Sequence, residues 1–214
     1  MEIRLAEMSD IIEIAKCQQK AFPKSLSSKL DIKFIEKMLS WYVLDERGIL
    51  FFISDENKVV LGYCGGIITK NANETGAATS ITQFGFYLFL ASLIKRPWLI
   101  FHVELLSKIP FLFRNVLVKL GFSKMKKIRK IAVNEFKPRW GLVVIGVDPR
   151  YSGEGIGTKL LAEFERLANL DSVKEITLSV RRTNKNAIAA YEKNNWKIYS
   201  KDSNSYSMKK ELKP

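Results

Sequence analysis

Histidine and cysteine are scarce in this chain, and the scarcity limits its chemistry. There is one histidine, His102, and there are two cysteines, Cys17 and Cys64, among 214 residues. The cysteines form no CxxC pair, and one histidine cannot join them in a structural zinc site, so no metal is expected. The opening MEIRLAEMSD has no basic-then-apolar signal layout. A reducing, cytoplasmic setting is the expectation, either free or peripheral to the inner face of a membrane. Apolar runs also stop well short of the roughly 20 residues that span a bilayer. Acid is the remaining shortage: 22 Asp and Glu against 35 Lys and Arg leave a formal +13. That excess favours an acidic partner without choosing one. The 47% hydrophobic and 27% charged content is that of a folded protein, and one domain over 1–214 is expected.

The pattern of elements is mixed. IRLAE alternates and meets Ser9-Asp10, after which Ile11, Ile14, Ala15 and Phe22 keep near-helical spacing. Asp31 caps a second helix with Ile32, Ile35, Met38, Leu39 and Tyr42 on one stripe. ILFFIS, the turn DEN and KVVLGYCGGIIT read as an antiparallel hairpin, with a bulge or close approach at Gly65-Gly66. From residue 140 the order is strand, loop, helix, strand, helix, two strands. A strand, helix, strand unit implies a parallel pair with a right-handed crossover, so the class is α/β or α+β with a mixed sheet.

The loop in VIGVDPRYSGEGIGTKLLAEFERLA carries Gly153, Gly155 and Gly157 at a helix entrance. Backbone N–H groups left uncovered there, with the helix dipole, suit an anion such as a pyrophosphate. Thr158 stands where a Walker A loop or a dinucleotide fingerprint needs glycine, so neither motif is present. A tight strand-to-helix turn would use the same glycines. The following TLSVRRTNKNAIAAYEKNNW sets Asn184, Ala187 and Tyr191 in N-x-x-A-x-x-x-Y spacing on a helix after a strand.

With both regions in this order, the sequence resembles the GNAT superfamily of acetyl-CoA-dependent N-acetyltransferases, loosely over residues 1–70 and closely over 140–210. The resemblance implies a GNAT-like mixed sheet flanked by helices and an acyltransferase with acetyl-CoA as co-substrate. It implies a strand that splays from its neighbour and lays Ile145, Gly146 and Val147 along the pantetheine arm. It further implies that Gly153, Glu154, Gly155, Ile156, Gly157 and Thr158 hold the pyrophosphate, that Asn184 contacts the cofactor, and that Tyr191 is the acid for the departing thiolate. A phenol of pKa ~10 suits a thiol of pKa ~8.5; in isolation Tyr191 would read as a core aromatic.

Some positions depart from the family. Ser152 stands where Arg or Gln usually precedes the first glycine, leaving Arg150 for phosphate or solvent. Ser179 occupies the place where protein N-terminal acetyltransferases often carry a glutamate base, and Asp148 before Pro149 reads as a turn residue. His102, Glu104, Glu135 or a water are the remaining candidates for the base. Asn195-Trp196 replaces a common Gly-Phe, with Asn suited to a left-handed helix exit.

Residues 77–139 form an insertion before the cofactor strand. From 77 to 140 there are twelve Lys and Arg against Glu104 and Glu135, a net +10, and 11 of the 24 aromatics. Helices are expected at 82–94, 98–107 and 110–121, with Pro97 and Pro110 starting the later two. A wall or lid for an anionic acceptor, a membrane-surface contact and a packing or homodimer surface all fit; no nucleic-acid module is present. The acceptor is expected to be a primary amine, foremost of a small molecule such as an amino sugar, with protein amines or a non-catalytic module as alternatives.

Overall fold

The computed structural model describes residues 1–71, 74, 77–102, 104–106 and 138–212. Seven strands form one sheet: β1 (Glu2–Leu5), β2 (Gly48–Ser54), β3 (Val60–Thr69), β4 (Arg139–Val147), β5 (Glu175–Arg181), β6 (Lys197–Lys201) and β7 (Ser205–Glu211). Their order is β1-β2-β3-β4-β5-β7-β6. Only β4 and β5 run parallel among neighbours, because the 15-residue helix α6 (Ile156–Leu170) carries the chain back across the sheet between them. Among the described residues the other named helices are α1 (Ile11–Ala21), α2 (Leu26–Lys29), α3 (Ile32–Leu44), α4 (Ala77–Phe84), α5 (Phe86–Lys95) and α7 (Lys185–Lys193).

Two cores sit on opposite faces. Phe51 and Ile53 of β2 face α6, whose Ile156, Leu160, Leu161, Phe164 and Ala168 pack over β3, β4 and β5. The alternate residues Leu50 and Phe52 face α1 and α3 through Ile11, Ile14, Ala15, Ile35 and Leu39. Both sides of β2 are therefore dry, which is why GILFFIS is a continuous apolar run rather than an alternating one. Asp31 caps α3 by accepting from Lys33 N–H at 3.0 Å. Asn195 takes φ +66 at the exit of α7, as expected of Asn in that place.

The insertion differs from its sequence reading. The helix expected over 82–94 is two helices, α4 and α5, meeting at Gly85, where Phe34 lies 3.3 Å from the position a Cβ would take. The helix expected over 98–107 is a 3-10 turn over Pro97–Phe101, started by its proline, with one further helical turn at 104–106. The helix expected over 110–121 and Glu135 lie outside the described residues.

Candidate active site

β4 pairs with β3 along its length but with β5 only at Trp140–Leu142, opposite Ile176–Leu178. Beyond Leu142 the two parallel strands are no longer paired, and the β5 side of β4 is an open backbone edge. A bulge marks the divergence. Gly65 faces Val144 and Gly66 faces Leu142, so Val143 is the extra residue, 40% exposed, and the strand bends there.

The register decides which residues serve that edge. Asp148 N–H donates to Leu61 C=O at 2.9 Å. In an antiparallel ladder the same side is then used by residues 146 and 144, and the N–H and C=O of Ile145 and Val147 turn toward the gap. Of the three residues expected along a pantetheine arm, Ile145 and Val147 offer their backbone to it, whereas Gly146 pairs with Tyr63 of β3. A Cβ at Gly146 would lie 2.7 Å from Tyr63 and 2.9 Å from Phe22. The glycine is demanded by packing under α1, not by the approach of a ligand.

The loop after β4 supplies the second half of the site. Pro149–Tyr151 form a 3-10 turn capped by Asp148, and α6 begins at Ile156. Gly153 and Gly155 have φ of +88 and +76, a left-handed backbone that glycine adopts without cost, and the places their Cβ atoms would occupy are open space. Gly155 is the N-cap and carries no side-chain cap, so the N–H groups of Gly155, Ile156, Gly157 and Thr158 lack partners among the described residues at the positive end of the helix. Glu154 departs from this set, since its N–H donates to Tyr151 C=O at 3.4 Å. Gly157 lies inside the helix with ordinary φ. Gly155→Ala is expected to add about 1 kcal/mol of left-handed strain and to weaken acetyl-CoA binding several-fold, read by calorimetry against an unchanged far-UV spectrum.

α7 brings Asn184 and Tyr191 toward the same end of the sheet. Asn184 is the N-cap, its Oδ1 accepting from Ala187 N–H at 3.2 Å, so this side chain first builds the helix on which Tyr191 sits. Asn184→Ala should cost about 1 kcal/mol of stability, visible as a lowered Tm. Tyr191 is 8% exposed, joins the core that includes Ile145 and Val147, and stands 6.0 Å from the Trp196 ring. Burial pushes its phenol up to about 12, with Cys64 adding to the shift. The hydroxyl is neutral throughout the working pH range, a hydrogen-bond donor rather than a ready source of protons.

Sequence reasoning missed one hub. Asp148 is 1% exposed and accepts from the Arg150 guanidinium at 2.7 Å and from Arg150 N–H at 3.1 Å, with Lys20 of α1 3.3 Å away. Arg150 is therefore held on Asp148 rather than extended toward a phosphate. The turn character of Asp148 is as expected, and the D-P-R spacing was the legible signal for its cap. These bonds, Arg150 first, hold the carboxyl down to about 2 against the opposing effect of burial. Cys17 lies beside this hub, buried, and its thiol is pushed up to about 12; Cys64 is also buried and raised. Both should resist an aromatic disulfide reagent in the native protein and react only on unfolding.

The described part of the insertion packs on α3 and reaches α2 and the end of β5. Phe89 packs on Phe34 of α3 at 5.9 Å between ring centroids, and the Arg96 guanidinium donates to the C=O groups of Lys29 and Leu30. Glu104 accepts from Leu26 N–H at 3.0 Å and pairs with Arg181 at the end of β5 at 3.1 Å. A carboxylate so engaged is a clamp between α2 and β5, which argues against Glu104 as the base. His102 Nδ1 accepts from Glu104 N–H at 3.3 Å. Ser179 is exposed on β5 opposite Ser207. Among the described residues no group of three or more His, Cys, Asp or Glu could hold a metal ion.

A model of the Acetyltransferase (GNAT) family matches residues 119–196. No curated protein matches the chain in sequence. Its fold is similar to that of PaiA N-acetyltransferase from Thermoplasma acidophilum in complex with coenzyme A, with TM-score 0.56 and 13% identity over 98% of each chain. It is also similar to an N-acetyltransferase from Staphylococcus aureus Mu50, with TM-score 0.54 and 14% identity over 99% of this chain and 98% of that one. The ribosomal-protein alanine N-acetyltransferase of Escherichia coli gives TM-score 0.53 and 16% identity over 100% and 94%. At such identities the structures share a fold. The segment matched by the family model, a little over a third of the chain, runs through both the glycine loop and the Asn184–Tyr191 motif, and on this fold that segment resembles the acetyltransferase (GNAT) family.

Proposed function

We propose that residues 1–214 act as one catalytic unit that moves an acetyl group from acetyl-CoA to a primary amine by direct transfer. The observation that carries the reading is the open edge of β4 beyond Leu142, which ends at the uncapped N-terminus of α6. Ile145 and Val147 would pair with the two amides of the pantetheine arm as an added strand would. The amides of Gly155 to Thr158, with the turn made by Gly153, would hold the pyrophosphate. Asn184 would act on the cofactor through the placement of α7.

The chemistry needs little more. The acceptor's amine attacks the thioester carbonyl, the carbon–sulfur bond breaks, and the proton released by the amine ends on the coenzyme A sulfur. Tyr191 would donate a hydrogen bond to that sulfur as charge develops on it. With its phenol near 12 against ~8.5 for a thiol, full proton transfer from tyrosine is uphill, so stabilisation of the thiolate is its task. No carboxylate on β4 or at Ser179 stands ready to deprotonate the amine, and water fills that role.

A small-molecule acceptor, such as an amino sugar, is the reading we favour over a protein amine. The support is the clamp of Arg96 and Glu104, which ties the insertion to α2 and to the end of β5, where a wall for a small acceptor would stand. The insertion's net +10 suits an acceptor that also carries negative charge. A cytoplasmic setting accords with two buried free thiols. The test is thiol release from acetyl-CoA across a panel of amino sugars, polyamines, amino acids and N-terminal peptides. Because both protein thiols are buried, release is read without background. Turnover confined to peptides would overturn the small-molecule reading, and no turnover with any amine would overturn the transferase.

A further inference from the structure

The described part of the insertion presents an exposed apolar surface. Among the described residues, α5 meets the body through Phe89, Ser92 and its start at Gly85. Phe89 meets Phe34, Ser92 is buried, and Gly85 lies under Phe34 at its start. The opposite side carries Tyr87, Leu90 and Ile94, spaced three and four residues apart and 73%, 40% and 81% exposed. The 3-10 turn that follows repeats the arrangement: Leu99 points inward, while Trp98, Ile100 and Phe101 stay in water. Leu106 extends the row beyond it. A surface helix normally turns a polar face outward, and scattered apolar side chains need no account, but a contiguous aromatic and aliphatic band marks a contact.

Charge selects the occupant. Residues 86–106 include Lys95, Arg96 and a single carboxylate, Glu104, which is engaged with Arg181. Exposed Lys29 sits beside the carbonyls that Arg96 holds. The chain that continues from Leu106 to Arg139 carries ten further Lys and Arg against one Glu. Two copies meeting through this face would bring like charge against like charge. An anionic lipid surface matches both features at once, with Trp98 and Tyr87 at the depth that amphipathic aromatics prefer and the cations beside the head groups. No helix among the described residues is long and apolar enough to cross a membrane, so the contact lies in the interface plane.

We propose that the band formed by Tyr87, Leu90, Ile94, Trp98, Ile100 and Phe101 docks the protein on an anionic lipid bilayer. The inference does not depend on acetyl transfer. Its test uses the full chain with vesicles of phosphatidylcholine containing about 30% phosphatidylglycerol, alongside vesicles of phosphatidylcholine alone. Trp41, Trp140 and Trp196 are 2–3% exposed, whereas Trp98 is 64% exposed, so lipid insertion reads out as a blue shift of Trp98 emission. The wild type is expected to partition onto the anionic vesicles with that shift. The triple substitution Ile94→Ser, Trp98→Ser and Phe101→Ser is expected to partition at least about tenfold more weakly while keeping its far-UV spectrum and its affinity for acetyl-CoA. Failure of the wild type to bind anionic vesicles, equal binding to both vesicle types, or binding without any Trp98 shift would overturn the proposal. Conversion of a wild-type dimer to a monomer by the triple substitution, in buffer without vesicles, would assign the band to a second copy and overturn it as well.

Discussion

Tyr191→Phe is expected to lower kcat for acetyl transfer by about 10²-fold while acetyl-CoA affinity stays within about twofold. The substitution removes one oxygen from a ring whose packing against Trp196 and the α6 face is otherwise preserved. The effect therefore falls on the step in which charge grows at sulfur and not on binding, and kcat and kcat/KM should drop together. The pH profile carries a second signature. Because burial pushes the phenol up to about 12, tyrosine does not ionise below pH ~10, and no alkaline loss of activity should originate from it. Steady-state kinetics of the two proteins over that range check both statements. Unchanged turnover would remove Tyr191 from the reaction.

Asp148→Asn is expected to cost about 1–2 kcal/mol of stability at neutral pH, a fall in Tm of about 2–8 °C. A carboxyl held down to about 2, against an unfolded value near 4, corresponds at face value to a little over 2 kcal/mol. The figure is reduced because its partners are half in water, Arg150 at 59% and Lys20 at 50% side-chain exposure. The sign follows from the direction of the shift. A lowered carboxyl pKa stabilises the fold above the unfolded value, and that contribution is lost as pH falls from ~4 toward ~2. The gap in stability between wild type and variant should thus close on acidification, as urea unfolding at several pH values will show. A gap that persisted at pH ~2 would assign the effect to shape and not to charge. Since Asp148 also ties α1 to the turn before the phosphate loop, a weaker acetyl-CoA affinity should accompany the lost stability.

Much of this was readable in the sequence, for physical reasons that also explain what was not. The glycines at 153 and 155 announced a tight turn or an anion site at a helix entrance, and their left-handed backbone is the physical reason that glycine stands there. Asn184 and Tyr191 were legible through helical spacing, and the hairpin and the Gly65-Gly66 bulge through alternation interrupted by small residues. The direction in which a backbone group points was not legible. Whether Ile145 or Gly146 faces the gap depends on register against β3 and on the bulge at Val143, which are properties of the partner strand. Long-range ion pairs were likewise hidden. Nothing local tells Arg150 that Lys20 lies beside the same carboxylate, or Glu104 that α2 and Arg181 wait 78 and 77 positions away. The insertion was recognised by its length and composition, but its division at Gly85 is set by packing on Phe34 rather than by propensity.

The shortage of acid with which the sequence begins resolves the same way. The phosphate-binding part of the site is built from backbone amides and uses no excess cation, and the charge gathers instead in the insertion. Everything proposed for catalysis rests on the open edge of β4 and the uncapped start of α6 as the seat of the cofactor. Isothermal titration of the full chain with acetyl-CoA tests that most directly. One molecule bound per chain, weakened several-fold by Gly155→Ala and little changed by Tyr191→Phe, is the expected result. Absence of binding, or binding indifferent to the loop, would contradict it.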